Sequence, residues 1–152
     1  MRWIAGVFLV LLSCSSWAME RPWMKQADPN SLGLFVAVSD ICPFETAELE
    51  GRFEGEFLRA RIKPTKSTDL NITVSVTCMT IKTDSAEMGT AVAFIVQYGT
   101  KMPTGHHVLY ESPDYGSLAI GGVEADSRQF LINSITDSVS LALTEYLKAN
   151  FQ

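Results

Sequence analysis

Hydrophobic and polar positions alternate with a period of two along residues 69–82, DLNITVSVTCMTIK. The apolar set runs from Leu70 to Cys78, and serine, threonine and asparagine residues occupy the positions between. Because successive side chains of a strand point to opposite faces, this pattern predicts a strand with one buried and one wetter face. Its many β-branched residues favour the same structure.

Other apolar runs predict the remaining strands. Residues 32–42, LGLFVAVSDIC, have apolar side chains in both alternating sets of positions, as expected of a central strand. Residues 90–98 and 106–112 predict a third and a fourth strand, and residues 118–120 a short fifth one. The polar or glycine- and proline-containing segments between them, residues 63–68, 83–89, 99–105 and 113–117, predict turns and loops.

Residues 44–62 predict a helix, because Leu49, Phe53 and Phe57 recur at helical spacing. Acidic residues lie near its start and arginines near its end, as the helix dipole favours. Gly51 and Gly55 oppose a helix at about 1 kcal/mol each, so a strand over residues 52–62 remains an alternative.

Residues 124–151 predict a second, longer helix. Leu131, Ile135 and Val139 begin a broad apolar stripe that belongs against a sheet. Asp126, followed three residues later by Gln129, predicts a capping box at its start.

The order strand, helix, three or four strands, helix predicts the fold class. It indicates an α+β two-layer sandwich, in which two helices cover a mixed or antiparallel sheet of about four strands. We expect a single domain over residues 32–152, preceded by a flexible lead over residues 19–31 that contains Pro22 and Pro29.

This chain resembles small periplasmic envelope domains in the order of its elements. The resemblance rests on LGLFVAVSDICPF leading to a helix, a basic turn, DLNITVSVTC and a closing helix. It is to the TolB amino-terminal domain and to the CsgG and PelC export lipoproteins. It implies a binding or assembly role in a Gram-negative envelope. No shared motif carries it, so it assigns no functional residue.

Residues 1–18 predict a signal peptide, with Arg2, an apolar run over residues 3–12, and Ser16-Trp17-Ala18 as a cleavage signal. The apolar run is too short to span a bilayer, so no transmembrane span is expected in the mature protein. Residues 10–14, VLLSC, also resemble a lipobox, which would make Cys14 a lipid anchor. The predicted location is therefore the periplasm or the exterior, with an outer-membrane lipoprotein as the alternative.

Export leaves Cys42 and Cys78 as an even pair in an oxidising compartment, which predicts a disulfide. The bond would close a loop of about 37 residues and contribute roughly 4 kcal/mol in the chain-entropy account. Two buried free thiols are the alternative.

The net charge of −5 lacks the excess of basic residues that is typical of nucleic-acid-binding proteins. The sequence contains no Gly-x-Ser-x-Gly elbow, no His-Glu-x-x-His and no phosphate-binding glycine loop. We therefore expect neither an enzyme nor a cofactor.

His106 and His107 are weak metal candidates, because neighbouring residues of a strand point to opposite faces. Tyr110 and Tyr115 are candidates for protein recognition, in which tyrosine is enriched. Tyr115 follows Pro113-Asp114 in a turn signature, which places it at a predicted loop tip. Packing of Tyr115 over its own hairpin is the alternative.

These observations predict a secreted, envelope-associated accessory protein that binds a protein or a glycan without catalysing a reaction. An inhibitor of a hydrolase is one alternative. A small metal-binding protein or enzyme that uses His106 and His107 is the other.

Overall fold

A computed structural model describes residues 21–152, and of residues 111–114 and 125 it describes the main chain but not the side chains. The elements, in chain order, are a 3-10 helix Pro22–Met24, β1 Ser31–Val38, α1 Thr46–Arg59, β2 Lys63–Thr65, β3 Leu70–Lys82, β4 Glu87–Lys101, β5 His107–Gly121 and α2 Ala125–Phe151. The predicted signal peptide and Cys14 lie outside the described residues.

Five strands form one mixed sheet in the order β2-β1-β3-β4-β5. β1 pairs in parallel with β2 and β3, and the β3–β4 and β4–β5 pairs are antiparallel. The predicted α+β class is confirmed. The turn predicted over residues 63–68 is wrong at its start, because residues 63–65 pair with β1 as a short edge strand.

β5 differs most from its prediction. The fourth strand, the turn at residues 113–117 and the short strand at residues 118–120 are one strand in the structure. The pairing with β4 shifts register between Ile95 and Gln97, opposite residues 112–115. The turn residues Pro113 and Asp114 therefore mark an irregularity within an edge strand, a position at which proline is tolerated.

Both helices cover the same face of the sheet. One hydrophobic cluster contains the apolar stripe of α1, the stripe of α2 and the inward positions of the strands. Its fully buried members include Leu49, Phe53, Val74, Val96 and Ile135. This single core explains the two predicted layers, because the sheet and the neighbouring helix together bury the apolar stripe of each helix.

At the start of α2, polar contacts with α1 and the segment before it take the place of a local side-chain cap. The predicted capping box is wrong, because Glu124 precedes α2 without a side-chain cap and Gln129 donates to Asn133 Oδ1 at 2.7 Å. Arg128 instead donates from Nε to the carbonyl oxygen of Pro43 at 2.8 Å and forms an ion pair with Glu48 of α1.

The predicted flexible lead packs on the domain from Arg21 onward. Met24 is fully buried, and Asn150 of α2 donates from Nδ2 to its carbonyl oxygen at 3.0 Å. Tyr146 donates from its hydroxyl to the carbonyl oxygen of Pro29 at 3.2 Å. Within residues 21–152, no helix combines the length and the apolar character that crossing a bilayer requires.

Candidate functional site

The face of the sheet opposite the helices carries the main candidate site. Its outward positions on β3, β4 and β5 form three cross-strand rows. We define the open-face patch by these nine residues: Ser75, Ile95 and Gly116 in one row; Thr77, Ala93 and Leu118 in the next; Met79, Ala91 and Ile120 in the third.

No residue of the open-face patch is charged, and most of its larger side chains are apolar and exposed. Leu118 is 63% exposed and Ile120 is 61% exposed. Met79 and Ile95 are also exposed, and directly opposite side chains of neighbouring strands are about 5 Å apart. A single exposed leucine is ordinary, whereas a contiguous apolar patch indicates a binding surface.

Tyr115 lies in the core and not at a loop tip. It is 1% exposed, and its ring forms an edge-to-face pair with that of Tyr98, with centroids 6.1 Å apart. Arg21 donates from Nη1 to its hydroxyl at 2.7 Å and lies 3.7 Å from Glu145. The prediction of an exposed anchor is therefore wrong, because residues 112–115 belong to a strand whose inward side α2 covers.

Tyr110 is partly exposed and belongs to the same aromatic cluster. Its ring centroid is 4.7 Å from that of Trp23, which in turn contacts Tyr98 at 5.6 Å. Burial raises the pKa of Tyr98 far above its ordinary value, and its hydroxyl donates to the carbonyl oxygen of Ala142 at 2.5 Å. These contacts indicate that the cluster holds the lead and α2 to the sheet.

His106 and His107 are exposed where β5 begins. The neighbouring acidic side chains of Glu111 and Asp114 lie outside what the structure describes. Among the described side chains, no group of three histidine, cysteine, aspartate or glutamate residues could hold a metal ion.

Cys42 and Cys78 form a disulfide, with an S–S distance of 2.00 Å and Cα atoms 5.0 Å apart. The bond links the segment after β1 to β3 on the helix-covered side. Ser39, which lies beside it, accepts a hydrogen bond at Oγ from the Cys78 main-chain N–H at 3.2 Å. These contacts point to a structural role for this pair.

Asn71 is a polar residue whose burial the sequence pattern does not reveal. It occupies an outward position, yet it is 4% exposed because it lies between Gly33 of β1 and Gly99 of β4. Its Oδ1 accepts a hydrogen bond from Thr73 Oγ1 at 3.0 Å. The side chain of Asn71 is therefore closed off from solvent, and the two glycines indicate this burial only once the strand register is known.

A scan against models of protein families finds no match, and neither does a search of curated proteins. Solved structures are similar at low identity. A minor lipoprotein from Acinetobacter baumannii is 9% identical with a TM-score of 0.33, over 78% of this chain and 90% of that one. The rare lipoprotein B from Shewanella oneidensis is 9% identical with a TM-score of 0.32, over 77% and 92%.

A third similar structure is a homolog of the neuraminyllactose-binding hemagglutinin from Helicobacter pylori. It is 11% identical with a TM-score of 0.43, over 82% of this chain and 84% of that one. Two of these three are lipoproteins, the class that the sequence resemblance names, and none is a TolB, CsgG or PelC protein. At these scores the likeness is too weak to carry an argument about function.

Proposed function

We propose that this protein is an envelope-associated accessory protein that binds another protein through the open-face patch and catalyses no reaction. The observation that carries the proposal is the contiguous, uncharged, exposed apolar surface opposite the helices. The expected location of the protein in the envelope follows from residues 1–18, which predict export.

The chemistry of the patch selects the class of partner. Sugars are held by hydrogen-bonding side chains and stacked aromatic rings, and the patch offers methyl and methylene groups with two hydroxyls. A charged ligand would find no counter-charge among its nine residues. An apolar protein surface matches it, because burying apolar area contributes roughly 25 cal/mol per Å².

The position of the patch also favours binding over a stabilising role. The strands already bury their inward side chains under α1 and α2, and the outward ones add nothing to that core. Apolar residues at such positions expose the folded chain to aggregation unless a partner covers them.

A photo-crosslinking amino acid at Ile95, near the centre of the patch, tests the proposal in cells. We expect one discrete adduct with an envelope protein, which mass spectrometry then identifies. The matched control places the same amino acid at Leu58, an exposed leucine on α1. Equal adducts at both positions would contradict a specific site.

The identified partner is then purified for an affinity measurement. Thr77→Lys places a charge in the middle row of the patch and should weaken binding at least about tenfold, which is about 1.4 kcal/mol. Thr144→Lys, at another exposed threonine, on α2, should leave the affinity unchanged. Unchanged binding by folded Thr77→Lys would overturn the proposal. A hydrolase as partner would select the inhibitor alternative.

A further inference from the structure

Within residues 21–152, β5 is an edge strand of the sheet, and its second half lacks the usual protection of an edge. Edge strands present main-chain N–H and C=O groups that can pair with another chain, and proteins guard them with lysine, proline or bulges. The first half of β5 is followed by Pro113, Asp114 and the register shift. Residues 116–121, GSLAIG, carry no charge and no proline, and we call them the bare edge.

The helix layer is also apolar beside the bare edge. Phe130 and Leu141 of α2 are 53% and 42% exposed, and eleven residues, about three helical turns, place them on one stripe. Leu141 lines a cavity of about 300 Å³ together with Tyr115 of β5 and the charged pair Arg21 and Glu145. At the other end, the side chain of Leu131 lies against Gly121. α2 therefore runs antiparallel alongside β5, and we call residues 130, 134, 137 and 141 the α2 stripe.

We propose that two copies of this chain associate edge to edge, with the bare edges paired antiparallel and the two α2 stripes in contact. A two-fold axis perpendicular to the sheet makes identical strands antiparallel and keeps both helix layers on one side. The paired copies would form one continuous sheet of ten strands, twice the five of a single copy.

The spacing of residues along β5 and along α2 is compatible with a single two-fold axis. Centring the strand pair at Leu118 places Ser117 opposite Ala119 of the other copy. The same level of α2 lies midway between Phe130 and Leu141. Phe130 of one copy therefore faces Leu141 of the other, and the bulky apolar residues meet on both sides of the paired strands.

A second copy fits this edge better than an isolated strand from an unrelated protein. A lone strand would pair with the main chain and leave Phe130 and Leu141 exposed. A second copy supplies its own α2 stripe at the required place. Asp137 is the one charged residue of the stripe, and its charge opposes the contact.

Sedimentation equilibrium of the full chain, from about 1 µM to 1 mM, tests the inference. We expect reversible dimers, and Ser117→Lys should weaken dimerisation at least about tenfold because a lysine guards the edge. Leu141→Glu should do the same, whereas Asp137→Asn should strengthen dimerisation. Thr77→Lys should leave it unchanged. Circular dichroism and an unchanged Tm confirm that each variant is folded.

Oxidative cross-linking adds a measurement that does not depend on weakening the dimer. Leu118→Cys should form a covalent dimer across the axis, whereas Thr77→Cys on β3 should not. A bond through Cys14 would affect both variants equally. Monomers at every concentration, or dimers lost with Thr77→Lys and kept with Ser117→Lys, would overturn the inference. It does not rest on the proposed function, since Thr77→Lys and Ser117→Lys report on the two separately.

Discussion

The two faces of the sheet are built from the same strands and have opposite environments. On β3, Val74, Val76 and Cys78 are buried beneath the helices, while Ser75, Thr77 and Met79 between them are exposed. On β4 and β5 the outward positions of the patch are largely apolar, with Ile95, Leu118 and Ile120 in solvent. The covered face accounts for the stability of the fold, and the proposed interaction would account for the apolar residues of the open face.

The disulfide should produce the largest effect, because it ties the covered face together through Cys42 and Cys78. Replacing both cysteines with serine should lower the free energy of unfolding by about 4 kcal/mol, within the usual range of about 2–5 kcal/mol. Chemical denaturation measures the loss. Mass spectrometry without reductant should find no free thiol at these two positions, and two alkylatable cysteines would refute the bond.

A matched pair of leucine substitutions tests the difference between the faces. Leu143→Ala opens a cavity in the core and should cost about 3 kcal/mol, since Leu143 is buried. Leu118→Ala on the open face should change the free energy of unfolding by less than about 0.5 kcal/mol. Urea denaturation at low protein concentration compares them. Similar losses in the free energy of unfolding at both positions would mean that Leu118 is buried and not exposed to solvent.

A pair of glycine substitutions tests the close packing around Asn71, on the face of the sheet opposite the helices. A Cβ at Gly33 would lie 2.1 Å from the Ser67 carbonyl oxygen and 2.5 Å from Asn71 Cβ, so Gly33→Ala should destabilise by about 1–3 kcal/mol. A Cβ at Gly51 meets nothing within 4 Å, and Gly51→Ala should stabilise α1 by up to about 1 kcal/mol. In thermal unfolding, Gly33→Ala should lower the Tm relative to the parent and Gly51→Ala should raise it. A Gly33→Ala variant as stable as the parent would refute the close packing around Asn71.

Tyr146 should produce the smallest effect, visible only at high pH. Burial raises the pKa of Tyr146 from its ordinary value of 10.0 to about 12. The unfolded chain therefore loses this proton at lower pH than the native one. The stabilisation is fully present below pH 10 and is lost as pH rises towards about 12. The stability of the parent should fall relative to that of Tyr146→Phe over this range, and parallel pH profiles would contradict the assignment.

The long elements could be predicted because their signals are local. β3 begins one residue after its predicted start, and α2 differs from its prediction by one residue at its start. Gly51 and Gly55 did not prevent α1, since burial of Leu49, Phe53 and Phe57 outweighs a helix cost of about 1 kcal/mol per glycine. The alternation of β3 put Cys78 in the inward register, and the even cysteine count after export predicted its bond with Cys42.

β5 and Tyr115 could not be predicted because their signals are not local. Pro113-Asp114-Tyr115-Gly116 has the composition of a turn, and pairing with β4 keeps it extended while α2 and Arg21 cover the ring. β2 has three residues and is a strand only because it pairs in parallel with β1. Likewise, Asn71 is buried because glycines from two other strands lie on either side of it.

The sequence by itself determined the long strand β3, the helices α1 and α2, which side of β3 faces inward and which cysteines can pair, because periodicity and residue type act over neighbouring positions. Only the tertiary structure decided that both helices cover one face, that the apolar positions of β3, β4 and β5 form a single exposed patch, and that β5 ends the sheet. Those properties depend on strand order and register, which arise from contacts between segments far apart in the chain.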